Sequence, residues 1–301
     1  MPHNVIVGID GSPAGLAAAH WAAREAVRRG TGLGIVHAWR LNPRPSPYVP
    51  LDYTEHDWAA SLLREAVDSV RRSHPDLPVT DRLVRGAPVD ILVAAAAKAE
   101  ILVLGSLGLS TLGGFVTGSV SQRVVAHCVR PVVLVRAERP TGAGGEPAPA
   151  GAAASVVLGL EVDHPSDELI EFAFDAARRR DAELRVVHAF KASLRPVSDA
   201  SVTVAPAAPS AAVTGPQELA ARERAVVAAL RPWCEKYPAV PVTETVVVGR
   251  AAGVLADAAD DAGLVVVGRR NDGRGIGPHV GPVTHAVLHH VACPVAVVPH
   301  A

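Results

Sequence analysis

The sequence contains little cysteine and few aromatic residues. Its three cysteines, Cys128, Cys234 and Cys293, form no C-x-x-C pair, which argues against a disulfide framework or a zinc site. Cys128 and Cys293 also lack an adjacent base, so we expect both to be buried, inert thiols. Aromatic residues make up 4% of the chain. The core must therefore be built from valine, leucine, isoleucine and alanine.

The sequence also has no large excess of charge of one sign and no long apolar run. The formal net charge is −1 over 301 residues, which provides no electrostatic footprint for nucleic acid. No apolar run reaches the roughly 18 residues of a membrane span, because Asp90, Lys98 and Glu100 interrupt the longest candidate. The N-terminus shows no basic segment followed by an apolar one. We therefore expect a soluble, cytoplasmic protein without nucleic-acid or membrane partners.

Strand-like and helix-like segments alternate along the first half of the chain. Short valine- and isoleucine-rich runs are typical of strands buried on both faces, and amphipathic segments between them are typical of crossover helices. This alternation predicts a doubly wound α/β domain with a parallel five-stranded sheet and four helices. The predicted strands are 4–10, 34–39, 79–84, 101–104 and 132–135, and the predicted helices are 13–29, 56–73, 88–99 and 118–128.

The same pattern restarts after a segment rich in glycine, proline and alanine. An offset of 151 positions carries Gly8 onto Gly159 and His37 onto His188, and beyond a longer loop an offset of 163 carries Gly105 onto Gly268. This repeat predicts a tandem duplication. The predicted domains are residues 1–137 and 155–301, joined by a linker at 138–154.

A glycine-rich stretch follows the fourth strand, in the spacing Gly105-x2-Gly108-x9-Gly118-Ser119. A strand, a glycine loop and a helix N-terminus in that order favour a phosphate, because free N–H groups and the helix dipole converge there. The sequence has no G-x-x-x-x-G-K-[ST] and no G-x-G-x-x-G after the first strand, and only three lysines. A phosphate here would therefore have to be held by backbone donors and hydroxyls, together with a metal ion or an arginine such as Arg123.

This spacing resembles the ATP-binding signature of the universal stress protein family, as does the opening stretch from Val5 to Ser12. The resemblance covers nearly the whole chain outside the linker. It implies two domains of the adenine nucleotide alpha hydrolase-like fold and an ATP, with or without Mg²⁺, in the first half. Carried over position by position, it implies a nucleotide site formed by Gly8, Ile9, Asp10, Ala38, Leu104, Gly105, Gly108, Gly118, Ser119, Val120 and Ser121.

The second half departs from this pattern at the proposed site. Asp10-Gly11-Ser12 becomes Glu161-Val162-Asp163, and Ser119 becomes Pro282, which removes a backbone N–H and a hydroxyl. Two carboxylates at the crevice would also repel phosphates. We therefore expect a degenerate site in a half that serves as a structural partner. The glycines and arginines between 269 and 277 leave a different anion cradle as the alternative.

Several polar residues also have simpler interpretations. Asp10-Gly11-Ser12 is typical of a turn and a helix cap, a role compatible with binding. His285 and His289 are four residues apart beside His290, but no carboxylate or cysteine completes a metal set, so a solvated helix face is favoured. His37 and His188 are expected to be packed or hydrogen-bonded core residues.

The resemblance implies a regulatory or stress-response sensor in which bound ATP orders residues 106–117 and a protein partner reads the ordered surface. The alternative is an enzyme, a slow ATPase or nucleotide-dependent transferase on the same fold. Asp10 is the only plausible metal ligand, Arg123 is the one candidate for clamping the transferred phosphoryl group, and no general base is evident. We therefore favour binding without catalysis. A scaffold with both sites empty is a third interpretation, against which the intact first signature argues.

Family members commonly pair two such domains through their last strands. A tandem chain can make that pairing internally, so we predict a contact between 132–135 and 295–298, which would otherwise be exposed apolar edges. The resemblance leaves room for a further homodimer. It does not name the protein partner or the inducing stress.

Overall fold

The computed structural model describes residues 5–40, 54–106, 119–137, 155–191, 216–270 and 280–300. Within these ranges the first half contains five strands and four helices, in the order β1 Val5–Ile9, α1 Pro13–Arg29, β2 Leu33–Trp39, α2 Glu55–Ser73, β3 Val79–Arg85, α3 Pro88–Ala96, β4 Ile101–Ser106, α4 Ser119–His127 and β5 Val132–Arg136. The predicted bounds differ from these by a few residues at most.

The second half repeats the same order of elements. It consists of β6 Val156–Gly159, α5 Asp167–Arg180, β7 Leu184–Phe190, α6 Pro216–Lys236, β8 Val242–Val248, α7 Ala251–Ala258, β9 Leu264–Arg270, α8 Pro282–His290 and β10 Val295–His300. Two α/β units in tandem, each with a parallel five-stranded sheet, confirm the predicted fold class. None of the helices in the described ranges is long and apolar enough to cross a membrane.

The two sheets join into one ten-stranded sheet with the order β3-β2-β1-β4-β5-β10-β9-β6-β7-β8. Pairing is parallel within each half, whereas β5 and β10 are antiparallel, with Val295 opposite Leu134 and Val297 opposite Val132. The predicted pairing of the last strands is confirmed. Because Val133 and Ala296 are fully buried at this junction, it forms part of the core.

Local sequence explains how the first helix is placed. Ser12 caps α1 by accepting a hydrogen bond from the Gly15 N–H at 3.0 Å, and Pro13 occupies the first turn, where its missing N–H costs nothing. Gly30 ends the helix in the left-handed conformation, at φ +63°. The helix buries an alanine-rich face that includes Ala18 and Ala22, so it packs closely against the sheet.

A buried charged cluster joins α1 to α5 across the two halves. The Glu25 side chain is 1% exposed, and its carboxylate accepts hydrogen bonds from Arg29 Nε at 2.7 Å and from Arg180 Nη2 at 2.6 Å. The Arg180 guanidinium also lies 5.7 Å from the ring centroid of Trp21. Burial lowers the pKa of Arg180, and the Glu25 carboxylate opposes that shift. Glu25 thus compensates two guanidinium groups held away from water.

Two arginines make reciprocal contacts with the last helix of the opposite half. Arg136 Nη2 donates to the Leu288 carbonyl in the last turn of α8 at 2.8 Å, and Arg269 Nη2 donates to the Cys128 carbonyl just beyond α4. Carbonyl groups at a helix C-terminus lack internal partners and carry negative potential. Each guanidinium therefore stabilises a helix end that belongs to the other half.

We predict that Glu25→Ala lowers the free energy of unfolding by about 3 kcal/mol or more, because it leaves the buried Arg180 guanidinium without its carboxylate and removes one of the carboxylates around Arg29, which keeps Glu100 and Asp175. Urea denaturation followed by circular dichroism measures the change. Glu235→Ala is the matched control, since Glu235 pairs with Arg231 on the exposed surface of α6, and should change stability by less than about 0.5 kcal/mol. Equal effects of the two substitutions would contradict a role for the buried cluster.

Candidate functional site

The carboxyl ends of β1 and β4 meet where the strand order reverses. Gly8 lies opposite Leu104 in the parallel β1–β4 pair, and on the other side Ile9 lies opposite His37 of β2. In doubly wound sheets such a reversal opens a crevice beyond the strand ends, where ligands bind. The sheet therefore brings the Asp10 turn and Gly105 to one edge, as the sequence predicted.

The Asp10 side chain is engaged by its own turn. Its Oδ1 atom accepts hydrogen bonds from the Ser12 N–H at 3.0 Å and from the Ser12 hydroxyl at 2.5 Å. Gly11 adopts φ +80°, a conformation that favours glycine. The expected turn and cap is therefore present. Asp10 itself remains exposed at the strand end, where a carboxylate oxygen is accessible to a ligand or a cation.

Gly105 lies directly against the start of α1. A Cβ at this position would be 2.6 Å from the Ala14 carbonyl carbon and 2.7 Å from the Gly15 nitrogen. Ser121 Oγ donates to the Gly105 carbonyl at 3.1 Å and is buried. The requirement for glycine thus comes from helix packing, and the Ser121 hydroxyl is already used to hold α4 beside β4.

The other predicted site residues have different surroundings. Gly8, Ile9 and Leu104 belong to the packed strand ends, and a Cβ on Gly8 would be 2.6 Å from a Leu92 methyl group. Ala38 is half-buried near the end of β2. At the start of α4, Ser119 is exposed and Val120 half-buried. Gly108, Gly118 and most of the 106–117 segment lie outside the described residues.

The histidines at matching strand ends serve the core. His37 Nδ1 is 2.8 Å from the Ile9 carbonyl oxygen, and His188 Nδ1 is 3.0 Å from that of Leu160. Both rings are buried, which confirms the prediction of hydrogen-bonded core histidines. On α8 the Nε2 atoms of His285 and His289 are 3.2 Å apart. The described ranges contain no group of three or more potential metal ligands.

Burial accounts for the chemistry of two cysteines. It raises the pKa of Cys128 to about 11 and that of Cys293 to about 11. A thiol with so high a pKa is almost fully protonated near neutral pH and is a poor nucleophile. Cys128 is buried, as predicted, whereas Cys293 is half-buried. The low reactivity of both thiols stays a prediction.

The second half has an open crevice at the equivalent edge of its sheet. A cavity of about 700 Å³ is lined by Gly159, Gly268 and Thr284, the counterparts of Gly8, Gly105 and Ser121. Thr284 Oγ1 donates to the Gly268 carbonyl at 2.8 Å, as Ser121 does to Gly105. The duplication therefore extends to the hydrogen bond that fixes the last helix.

The two carboxylates expected to repel phosphates in this crevice are both neutralised. Arg222 of α6 forms an ion pair with Asp163, and Arg270 at the end of β9 lies 2.6 Å from Glu161. Sequence reasoning missed these pairs because the arginines are remote from the turn along the chain. The available signal was the segment 269–277, whose arginines include Arg270 but not Arg222.

Comparisons with known proteins agree with this architecture. The profile of the universal stress protein family matches residues 1–136 and 155–299. Universal stress protein Rv2005c of Mycobacterium tuberculosis is 34% identical over 98% of this chain and 96% of its own length. The chain belongs to the universal stress protein family. Each matched segment of this universal stress protein contains one five-stranded half.

A solved structure of the family shows the same fold. A universal stress protein from Archaeoglobus fulgidus DSM 4304 superimposes with a TM-score of 0.70 at 15% identity, and covers 100% of both chains. A shorter universal stress protein, solved in complex with cAMP, is 32% identical and covers 46% of this chain and 100% of its own, with a TM-score of 0.35. The cAMP is a ligand of that protein.

We predict that Gly105→Ala lowers the free energy of unfolding by about 1 to 3 kcal/mol, because the new methyl group would overlap the backbone of α1. The control is Gly253→Ala in α7, where a Cβ has nothing within 4 Å and where alanine favours the helix by up to about 1 kcal/mol. Urea denaturation should give a lower free energy of unfolding for Gly105→Ala and a higher one for Gly253→Ala. A neutral Gly105→Ala would show that the close contact with α1 is absent.

Proposed function

We propose that the first half binds ATP at the crevice between β1 and β4 and that this universal stress protein is a cytoplasmic regulator in the stress response. The observation that carries the proposal is the strand register. It brings the exposed carboxylate of Asp10 and the start of α4 to the same edge of the sheet, beside the order reversal. These groups are the ones that a nucleotide with a bound cation needs.

The residues present fit an adenine nucleotide with Mg²⁺. The first-turn N–H groups of α4 lack partners within the helix, and Ser121 in that turn is bonded to Gly105 at the end of β4, so an anion is favoured beside this strand end. Ser119 adds an exposed hydroxyl, and Asp10 offers the oxygen ligand that Mg²⁺ prefers. Ala38 lies near the end of the neighbouring strand, where the family resemblance implies the adenine. When bound, the cation would neutralise phosphate charge next to Asp10.

The proposed role is regulation by occupancy. A ligand changes a protein's behaviour only if it binds one conformation better than another. The proposed change lies in residues 106–117, which connect the two elements that would hold the phosphates and which bound ATP would fix in one arrangement. A protein partner that recognises this arrangement would bind only when ATP is present.

We predict that Ser119→Pro, which copies Pro282 of the second half, weakens ATP binding by about tenfold to a hundredfold, since one hydrogen bond to a charged group contributes about 1.5 to 3 kcal/mol. Titration calorimetry with ATP and Mg²⁺ measures the affinity. Ser119→Ala is the matched control, because it removes the hydroxyl but retains the N–H, and should cost less. Equal affinity of Ser119→Pro and the unmodified protein would refute the site.

A second substitution tests the cation. Asp10→Asn retains an oxygen that can accept both hydrogen bonds from Ser12, so the turn should persist, but the charge is lost. We expect the gain in ATP affinity that Mg²⁺ provides to disappear in this variant, while affinity without Mg²⁺ rises slightly because a negative charge is removed. Phosphate release measured alongside separates binding from catalysis. Sustained turnover would favour the slow ATPase or transferase instead.

A further inference from the structure

We propose that His285 and His289 on α8 form a binding site for a divalent transition-metal ion of the kind that imidazole nitrogens hold well, such as Zn²⁺ or Ni²⁺. The two residues are four positions apart, and side chains at this spacing lie on the same face of a helix. Neither of them lines the cavity at the start of α8. The site is therefore distinct from the crevice of the second half, and the inference does not depend on what binds in the first.

The two imidazole rings converge at their Nε2 atoms. These atoms are 3.2 Å apart, whereas the ring centroids are 4.4 Å apart. Histidine nitrogens bind Zn²⁺ at about 2.0 to 2.1 Å, so two of them at this separation would subtend an angle of about 100 to 105° at one shared ion, close to the tetrahedral value. Histidines four residues apart on a helix are also the pair that binds zinc in the H-E-x-x-H motif. The side chains thus need little movement to chelate one ion.

One histidine of the pair is held in place and the other is open to solvent. His289 is 6% exposed, so the expectation of a solvated helix face holds only for His285, which is exposed. A packed side chain has little rotamer freedom left to lose when it binds an ion. Within the part of the chain that the structure describes, no third histidine, cysteine or carboxylate joins the pair. Water would complete the coordination on the exposed side of His285.

The protonation state of the pair suits a metal ion. Burial lowers the pKa of His289, and the neighbouring His285, Arg136 and His290 lower it further. His289 is therefore neutral near pH 7, which is the form that binds metals. A bound ion takes the place of the hydrogen between the two Nε2 atoms, and each ring then carries its one proton on Nδ1.

The positive charge of Arg136 limits the affinity. Its Nη2 atom donates to the carbonyl of Leu288, the residue before His289, at 2.8 Å. A cation held by His289 would be repelled by this guanidinium. We therefore expect weaker binding than at a closed zinc site with four protein ligands. By joining residues one turn apart, the ion would also stabilise the helix end that Arg136 contacts.

The first half provides variants that the fold should accept. The repeat offset of 163 positions carries His285 onto Gln122 and His289 onto Ala126 of α4. Glutamine and alanine thus occupy the equivalent positions of a helix with the same place in its own half. We therefore expect His285→Gln and His289→Ala to fold while each removes one of the two ligands.

The test is titration calorimetry of the full chain, with reduced thiols and without nucleotide, using ZnCl₂ and NiCl₂ as probes. We expect one ion per chain, and His285→Gln and His289→Ala should each weaken its binding by about tenfold or more, because a single protein ligand remains. The matched control is His290→Gln, an exposed neighbour that should leave the affinity unchanged, since consecutive residues point about 100° apart around a helix. MgCl₂ should not bind to the pair, because Mg²⁺ prefers oxygen ligands.

Thermal unfolding provides a second measurement. Zn²⁺ should raise the Tm of the unmodified protein and of His290→Gln but not that of the two pair variants, because an ion bound only to the folded state stabilises it. Circular dichroism without metal confirms that each variant is folded. Unchanged Zn²⁺ affinity in either pair variant would assign the ion to other ligands, such as the thiols, and overturn the inference. So would the absence of Zn²⁺ and Ni²⁺ binding to the unmodified protein, whereas failure of ATP binding in the first half would leave these measurements unaffected.

Discussion

The antiparallel pairing of β5 with β10 is the interaction on which the molecule is organised. Each half alone would end in an exposed apolar strand, and such an edge is open to aggregation. The register of Val132, Val133 and Leu134 against β10 closes both edges at once. It also brings α1 next to α5, which is why a carboxylate as buried as Glu25 can be satisfied by an arginine from each half.

Duplication preserved the framework while the chemistry of the two crevices diverged. The hydrogen bond from Ser121 to Gly105 recurs between Thr284 and Gly268, and the core histidines recur at both strand ends. The groups facing the crevice differ instead. A short Asp-Gly-Ser turn in the first half becomes a pair of carboxylates held by arginines in the second. The packing of the two halves is therefore alike, whereas the linings of their crevices differ.

The sequence predicted those features that depend on neighbouring residues or on repetition. Apolar runs, the Ser12 cap, Gly30 and the offsets of the repeat located nearly every helix and strand. The family resemblance implied the central pairing, and the apolar terminal strands supported it. Contacts between distant residues could not be foreseen. The close approach of Ala14 to Gly105 and the pairing of Arg222 with Asp163 arise only when the sheet assembles. The neutralisation of the two carboxylates in the second crevice was therefore not predicted, although an arginine-containing anion cradle had been left open as the alternative.

The opposite direction of β5 and β10 determines at which rim of the sheet each crevice opens. Strands of the first half end at one rim of the continuous sheet, and those of the second half end at the other rim. The two crevices thus open at opposite rims, with β5 and β10 between them across the sheet. A single partner docked on one rim would therefore reach only one of the two crevices.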